Sequence, residues 1–371
     1  MMETKKRQES LLSHLFDLAL MQLNPIWGFD QMAIIGGIEA GGTKFICIMY
    51  DTVNESILCG TVVKTTKAQE TINIIFVWFD LMERNFGKLD SIGVGIFGPL
   101  DLNADSVDFG MIQNTPKAGW NGINIPRLFS KRYAVPVGFN TDVNAALIGE
   151  ISVQENRAIN RLLYISIGTG IGIAFSNKRE VSYVDSHLEG GHMMLPRLDG
   201  DNFSGVCPHH GDCWEGMCSG SAIYHRAGSS AANLHVNHSV WNTIIEYTSV
   251  AINNLLLILS PEKIIIGGSV KDMGLSKDTV FISKLNALLS IHAKYYNKSL
   301  QADIATTGYL KGVAGIFGAT IMGKEVLNTN SITTVTKINT SSFQMEDCFK
   351  KSEYKFNRFH FIINLLIFKI T

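Results

Sequence analysis

One pattern occurs twice in this chain: an apolar strand, a glycine turn and a second apolar strand. Residues 33–38 are apolar and β-branched, Glu39-Ala40-Gly41-Gly42-Thr43-Lys44 turns the chain, and 45–50 is apolar again. Later, 161–167 leads into Gly168-Thr169-Gly170-Ile171-Gly172, and the strand resumes at 173–175. Each reads as a β-hairpin. Helical patterns lie at 70–86, 123–133, 219–231, 242–259 and 312–322, and buried strands at 90–95, 135–139 and 264–269. Strands alternate with helices in two rounds, which predicts a duplicated α/β architecture with a ligand cleft between the halves. Glycine turns facing one cleft suit a polyphosphate, because backbone N–H groups approach closely where no Cβ intervenes. Thr43 and Lys44 add a hydroxyl and a cation. Taken alone, the first turn reads equally well as a plain Gly-Gly hairpin, and the P-loop pattern is absent.

A second cluster has metal-ligand spacing. Cys207, His209, His210 and Cys213 fall inside Gly205-Val206-Cys207-Pro208-His209-His210-Gly211-Asp212-Cys213-Trp214-Glu215-Gly216, and Glu189-Gly190-Gly191-His192 lies upstream. A C-x2-H-x2-C run with a fourth ligand nearby suits tetrahedral zinc, because thiolates and imidazoles converge on a bent loop. Such a loop would place Glu189 and Glu215 beside a substrate. Between the hairpins, Asn140-Thr141-Asp142-Val143-Asn144 stands where a strand stops and a helix starts. Asp142 there is either a helix cap with Thr141 or a carboxylate that faces the cleft and takes a proton from a hydroxyl.

Charge narrows the partners. With 32 basic and 33 acidic residues, the chain lacks the basic excess of a nucleic-acid binder. Six cysteines, half of them near the histidine cluster, are too few and too uneven for a disulfide scaffold, and favour a reducing cytosol. Residues 1–31 form an extension in which Leu11, Leu12, Leu15, Leu18 and Leu20 suit one short amphipathic helix. His14 and Asp17 interrupt any secretory apolar region. The apolar run at 361–370 is too short to span a bilayer. No membrane partner is expected.

Taken in order, these motifs resemble the ROK family of sugar kinases, and within it the bacterial fructokinases. The resemblance rests on 38–44, Gly98-Pro99-Leu100-Asp101-Leu102-Asn103, Thr115-Pro116-Lys117, Gly119-Trp120, 141–146, 168–172, Glu189-x-Gly191-His192, Cys207-x2-His210-x2-Cys213-x-Glu215-Gly216 and 260–268. It covers residues 33–323. It implies an actin-like, hexokinase-like (ribonuclease H-like) α/β fold whose two domains close on ATP and sugar. It implies ATP-dependent phosphorylation of a hexose, D-fructose to fructose 6-phosphate, with ATP, Mg²⁺ and Zn²⁺ as cofactors. By position, Asp142 is the general base. Gly98, Thr141, Glu189, His192 and Glu215 hold the sugar. Gly41, Gly42, Thr43, Lys44, Gly168, Thr169, Gly170, Gly267 and Gly268 hold ATP. His192, Cys207, His210 and Cys213 ligate zinc, with His209 as the competing choice for His210. A homodimer in the cytoplasm is the family expectation.

The implied organisation is an extension at 1–31, a smaller domain at 32–145, a larger domain at 146–323 whose last helix returns to the first, and a tail at 324–371. Two departures from the family pattern stand near the nucleotide: Ser269 where a third glycine is common, and Ile173 where glycine usually follows the second turn. The alternatives are a ROK kinase for mannose, glucose or an N-acetylated amino sugar, a sugar-binding protein without catalysis, and a sugar-responsive regulator. A regulator would need a helix-turn-helix, whose pattern the first 31 residues lack.

Overall fold

The computed structural model describes residues 33–181, 187–270, 275–293, 304–327 and 333–335. The extension at 1–31 with its leucine-rich stretch, and the apolar run at 361–370, lie outside the described residues.

The first half opens with β1 (Ile34–Ala40), β2 (Lys44–Asp51) and β3 (Ser56–Lys64), joined as an antiparallel meander. Then come α1 (Ala68–Phe86), β4 (Ser91–Ile96), α2 (Ile125–Tyr133), β5 (Val137–Thr141) and α3 (Asp142–Ser152). The second half repeats the plan with β6 (Leu162–Ile167), β7 (Ile171–Asn177) and β8 (Glu180–Val181). It continues through α4 (Trp214–Cys218), α5 (Gly220–Ala227), α6 (Val240–Leu259), β9 (Lys263–Gly267), α7 (Leu275–Ala293) and β10 (Ala305–Thr307). Helix α8 (Ala314–Val326) and β11 (Thr333–Val335) follow.

The two sheets have the same order. In the first, β3-β2-β1-β4-β5 combines an antiparallel hairpin with two parallel strands, and β11 adds in parallel beside β5. In the second, β8-β7-β6-β9-β10 repeats that arrangement strand for strand. The duplication expected from the paired glycine turns is therefore present in the topology.

Sequence spacing explains the layers. Ile72, Ile75, Phe79 and Met82 recur at helical intervals and bury one face of α1 against the first sheet. Each such side chain contributes about 1.5–3 kcal/mol on burial. Helix α6 is the one described helix long and apolar enough to cross a membrane, and Ile244, Tyr247, Ala251, Ile252 and Leu255 bury it in the second core.

Helices α3 and α8 lie between the sheets, sharing a core with Ile46 and Ile48 of the first and Leu162, Tyr164 and Ala174 of the second. They pack at backbone contact: any Cβ at Gly318 would strike the carbonyl of Ala145. Helix α8 also returns to the first sheet, where Ser91 Oγ donates to the Gly323 carbonyl at 2.6 Å. Helix α3 begins at Asp142, directly after β5 ends at Thr141.

Candidate functional site

Strand β5 ends and α3 starts without an intervening loop, so the junction residues are fixed by both elements. Thr141 is the cap: its Oγ1 accepts from Asn144 N–H at 3.2 Å, and it is buried. Of the two residues read as a cap, Thr141 fills the cap position and Asp142 is the first helical residue. The bond from Asn144 uses one lone pair of the Thr141 hydroxyl, which keeps its O–H donor. Asp142 is partly buried, and its Oδ1 accepts from Val143 N–H at 2.8 Å. Burial pushes its carboxyl up to about 6, against the pull of the Val143 N–H and of nearby His187. The start of α3 touches both sheets at their turn ends. A Cβ at Gly95 of β4 would lie 3.6 Å from Asp142 Cα, and one at Gly172 of β7 3.4 Å from Val143.

The first glycine turn is tighter than its sequence suggested. Glu39 was read as part of the turn, but β1 runs through Ala40, and Gly41 N–H closes the turn on the Lys44 carbonyl at 3.0 Å. Strand geometry fixes Glu39 under the turn. Its Oε2 is buried and accepts no hydrogen bond among the described residues. Burial raises its carboxyl to about 7, with Lys44 opposing and Asp142 reinforcing. Thr43 and Lys44 are exposed at the tip.

At the second turn, Gly168 N–H donates to the Gly170 carbonyl at 2.9 Å, and Thr169 is exposed. Glu215 reaches this turn. Its Oε2 accepts from Ile171 N–H at 2.8 Å and lies against Gly170. One oxygen of the expected sugar ligand is thus engaged by the turn. Gly267 ends β9 alongside, and Gly268 follows it. Gly268 has φ +87°, and a Cβ there would sit 2.5 Å from the Ile167 carbonyl oxygen, so only glycine fits. Ser269 is exposed with its Oγ 3.6 Å from where a Gly168 Cβ would be, beside the turn. Ile173 is buried beneath Gly190, away from the turn tip.

The four expected metal ligands converge. The donor atoms of His192, Cys207, His210 and Cys213 all lie within 4.8 Å of one another. His192 Nδ1 is 3.5 Å from Cys213 Sγ and 3.6 Å from Cys207 Sγ, and His210 Nδ1 is 3.8 Å from Cys207 Sγ. Ligands bonded at about 2.0–2.3 Å in a tetrahedron stand apart by this much, so the donor set fits zinc. His209 is not in the cluster. The loop is built by its backbone: Cys207 and Gly211 exchange hydrogen bonds at 3.1 and 2.9 Å, and Trp214 N–H donates to the Met193 carbonyl at 2.9 Å.

His192 joins this cluster to the cleft. Its Nδ1 faces the thiols while its Nε2 stands 3.9 Å from Glu189 Oε2. The other Glu189 oxygen meets His187 Nε2 at 2.6 Å. Burial pushes the Glu189 carboxyl up, but the hydrogen bond and charge of His187, with His192 and His209, outweigh it and hold it low. His187 also reaches across to Gly98, where a Cβ would lie 3.2 Å from its Nε2. Sequence reading missed both His187 and the buried Oε2 of Glu39, unpartnered among the described residues. The i, i+2 spacing of His187 and Glu189, which puts two side chains on one side of extended chain, was the available signal.

The ROK family model matches residues 35–326. The chain is 36% identical over 302 residues to the putative fructokinase of Bacillus subtilis (strain 168), covering 80% of this chain and 98% of that relative. It is 36% identical over 261 residues to the fructokinase of Lactococcus lactis subsp. cremoris, covering 69% and 87%. Among solved structures, the ROK hexokinase from Thermus thermophilus superposes with TM-score 0.61 at 21% identity, covering 78% of this chain and 98% of that one. A ROK family glucokinase from Streptomyces griseus, in complex with glucose and AMPPNP, gives 0.61 at 18%, covering 79% and 99%. At these identities the two structures speak to the fold, which is the actin-like, two-domain α/β fold. The chain belongs to the ROK family. Its curated relatives at 34–36% identity are named fructokinases, one of them as putative.

Proposed function

We propose that this chain phosphorylates a hexose with ATP, and that D-fructose is the substrate and its 6-hydroxyl the acceptor. The observation that carries the reading is Asp142, a partly buried carboxylate at the start of the helix that contacts both sheets at their glycine-turn ends. A carboxyl raised to about 6 is ionised at neutral pH yet basic enough to take a hydroxyl proton. As the sugar oxygen attacks the γ-phosphorus, the bond to the β–γ bridging oxygen breaks and ADP leaves. The hydroxyl proton passes to Asp142. Val143 N–H holds one Asp142 oxygen in place.

The remaining residues bind and orient. Glu189, held by His187, and the outward Nε2 of His192 supply partners for sugar hydroxyls. The unengaged oxygen of Glu215 is a further acceptor. The glycine turns at 41–44 and 168–170 suit the phosphates, with the Gly41 and Gly168 N–H groups closing the turns and the tip residues Gly42, Thr43 and Thr169 facing the ligand. Gly267 and Gly268 let β9 pack against Tyr164 and the Ile167 backbone, beside the second turn. The free oxygen of Glu39 beside the first turn would hold Mg²⁺. Mg²⁺, when bound, neutralises charge on the β and γ phosphates. The Cys/His cluster would hold zinc with four protein ligands, which makes it a brace for His192 rather than a reaction centre.

Release of ADP with fructose, mannose, glucose and N-acetylmannosamine, each with ATP and Mg²⁺, tests this. Fructose is expected to give the highest kcat/KM, with phosphate on O6 by NMR of the product. A higher kcat/KM for another hexose would replace the fructose assignment, and ADP release indifferent to sugar would remove the kinase reading.

A further inference from the structure

We propose that Lys117 binds the terminal phosphate of the nucleotide. The inference rests on the phosphoryl-transfer reading above and extends it to a residue outside both glycine turns.

The loop that carries Lys117 is pinned. Trp120 is fully buried, stacks on Phe45 at 5.4 Å and meets Phe97 edge-on at 5.2 Å, and its Nε1 donates to the Thr66 carbonyl at 2.9 Å. Thr115 N–H donates to Asn121 Oδ1 at 2.8 Å, and Lys117 N–H to Thr115 Oγ1 at 3.4 Å. A side chain leaving so fixed a loop reaches a defined place. Lys117 Nζ donates to the Gly42 carbonyl, in the turn that follows β1. A Cβ at Gly42 would lie only 3.9 Å from it. The ammonium also stands 5.8 Å from the centre of the Phe97 ring.

What this cation lacks is an anion. Among the described residues, no carboxylate forms an ion pair with Lys117. It is partly buried, and burial lowers its pKa. An ammonium has three donors, and one carbonyl satisfies one of them. Partial burial of the remaining charge is costly unless an anion arrives. A phosphate group supplies both the charge and the acceptor oxygens.

Position selects the terminal phosphate over the inner ones. Lys117 stands against Phe97, and the next residue, Gly98, faces His187 and, through it, the Asp142 and Glu189 carboxylates. The ammonium therefore enters from the sugar side of the turn. The phosphate nearest that side is the one to be transferred. A lysine clamp on a transferring phosphoryl group acts where charge is redistributed in the transition state.

Binding of the β,γ-imido analogue of ATP and of ADP, both with Mg²⁺, separates the possibilities by calorimetry. Lys117→Met is expected to weaken the analogue by about 10-fold or more and leave ADP within about 2-fold. Lys117→Arg should retain most of the analogue affinity, and Lys117→Gln serves if the Met variant melts early. In turnover, Lys117→Met should lower kcat on the order of 10²–10³-fold. Equal weakening of both nucleotides, or of neither, would overturn the proposal and leave Lys117 as a clamp on the Gly42 turn. A wild-type protein that binds the analogue but phosphorylates no hexose would remove the kinase reading, while the ratio of the two affinities would still decide Lys117. A wild-type protein that binds neither nucleotide would remove both.

Discussion

The turn after β1 and the turn after β6 occupy the same place in two sheets of one order, yet the loops around them deliver different side chains to them. The first receives Lys117 on the Gly42 carbonyl, with Lys44 at its end, and Thr65 Oγ1 donates to the Gly41 carbonyl at 2.8 Å. The second receives a carboxylate: Glu215 Oε2 takes Ile171 N–H at 2.8 Å, and Ser221 Oγ donates to the Thr169 carbonyl at 3.1 Å. Duplication repeated the backbone. The loops that feed each turn then decide its chemistry. A cationic turn suits the end of a triphosphate that must be pulled and neutralised. On the reading proposed above, the second turn, where a carboxylate already holds Ile171 N–H and Gly268 and Ser269 lie alongside, would face the inner phosphates and the nucleoside.

The comparison can be broken from the metal side first. Cys213→Ala should remove the zinc, about one ion per chain in the wild type by atomic absorption. It should also lower Tm by more than about 10 °C, because binding energy of a structural zinc is folding energy. An unchanged Tm, or a wild-type protein purified without metal, would mean that the Cys/His loop braces nothing. Next in size is Glu215→Ala. If Glu215 mainly stiffens the second turn, KM for ATP should rise on the order of 10-fold, with KM for fructose moving less. The reverse pattern would make Glu215 a sugar ligand and would erase the contrast between the turns. Gly268→Ala follows. A side chain forced to φ +87° against the Ile167 carbonyl should cost about 1–3 kcal/mol of stability in a urea melt. A neutral result would mean that β9 can withdraw from the second turn.

The smallest expected effect is on stability at Asp142. Its carboxyl is raised from 3.8 to about 6 in the folded chain, so the native state binds a proton that the unfolded state releases earlier. Its contribution to stability is full below the unfolded value and is lost as pH rises through the folded one. Asp142→Asn should therefore raise Tm by a few degrees at pH 8 and leave it nearly unchanged at pH 4. Equal Tm for the two proteins at pH 8 would mean that the carboxylate is better solvated than its surroundings indicate.

Much of the scaffold was legible. Helix α1 announces itself by the spacing of Ile72, Ile75, Phe79 and Met82, and both hairpins by glycines between apolar runs. Strand β3 was not legible. It lies at the sheet edge and is half-exposed on most residues, so it shows no alternation. Helix α7 was missed for the opposite reason: Phe281, Ile282, Leu285, Leu288 and Leu289 pack on the second core from neighbouring positions and leave little polar contrast. In the site, local chemistry could be read and long-range partnership could not. The Cys/His spacing points to convergence because the loop itself brings Cys207, His210 and Cys213 together. The contact of Lys117 with Gly42 spans 75 residues of sequence, and that of Glu215 with Ile171 spans 44. Neither pairing follows from periodicity. Only the sheet order and the pinned loops create them.

The account turns on Asp142 lying at the junction of the two unlike turns. Its most direct test is steady-state turnover of fructose with ATP by wild type and Asp142→Asn, measured from pH 5 to pH 9. Wild-type kcat/KM should rise through a pKa near 6 to a plateau, and the variant should fall on the order of 10²–10⁴-fold at the plateau with KM for ATP little changed. Turnover by Asp142→Asn within a few-fold of wild type would contradict the account, because the proton would then be leaving by another route.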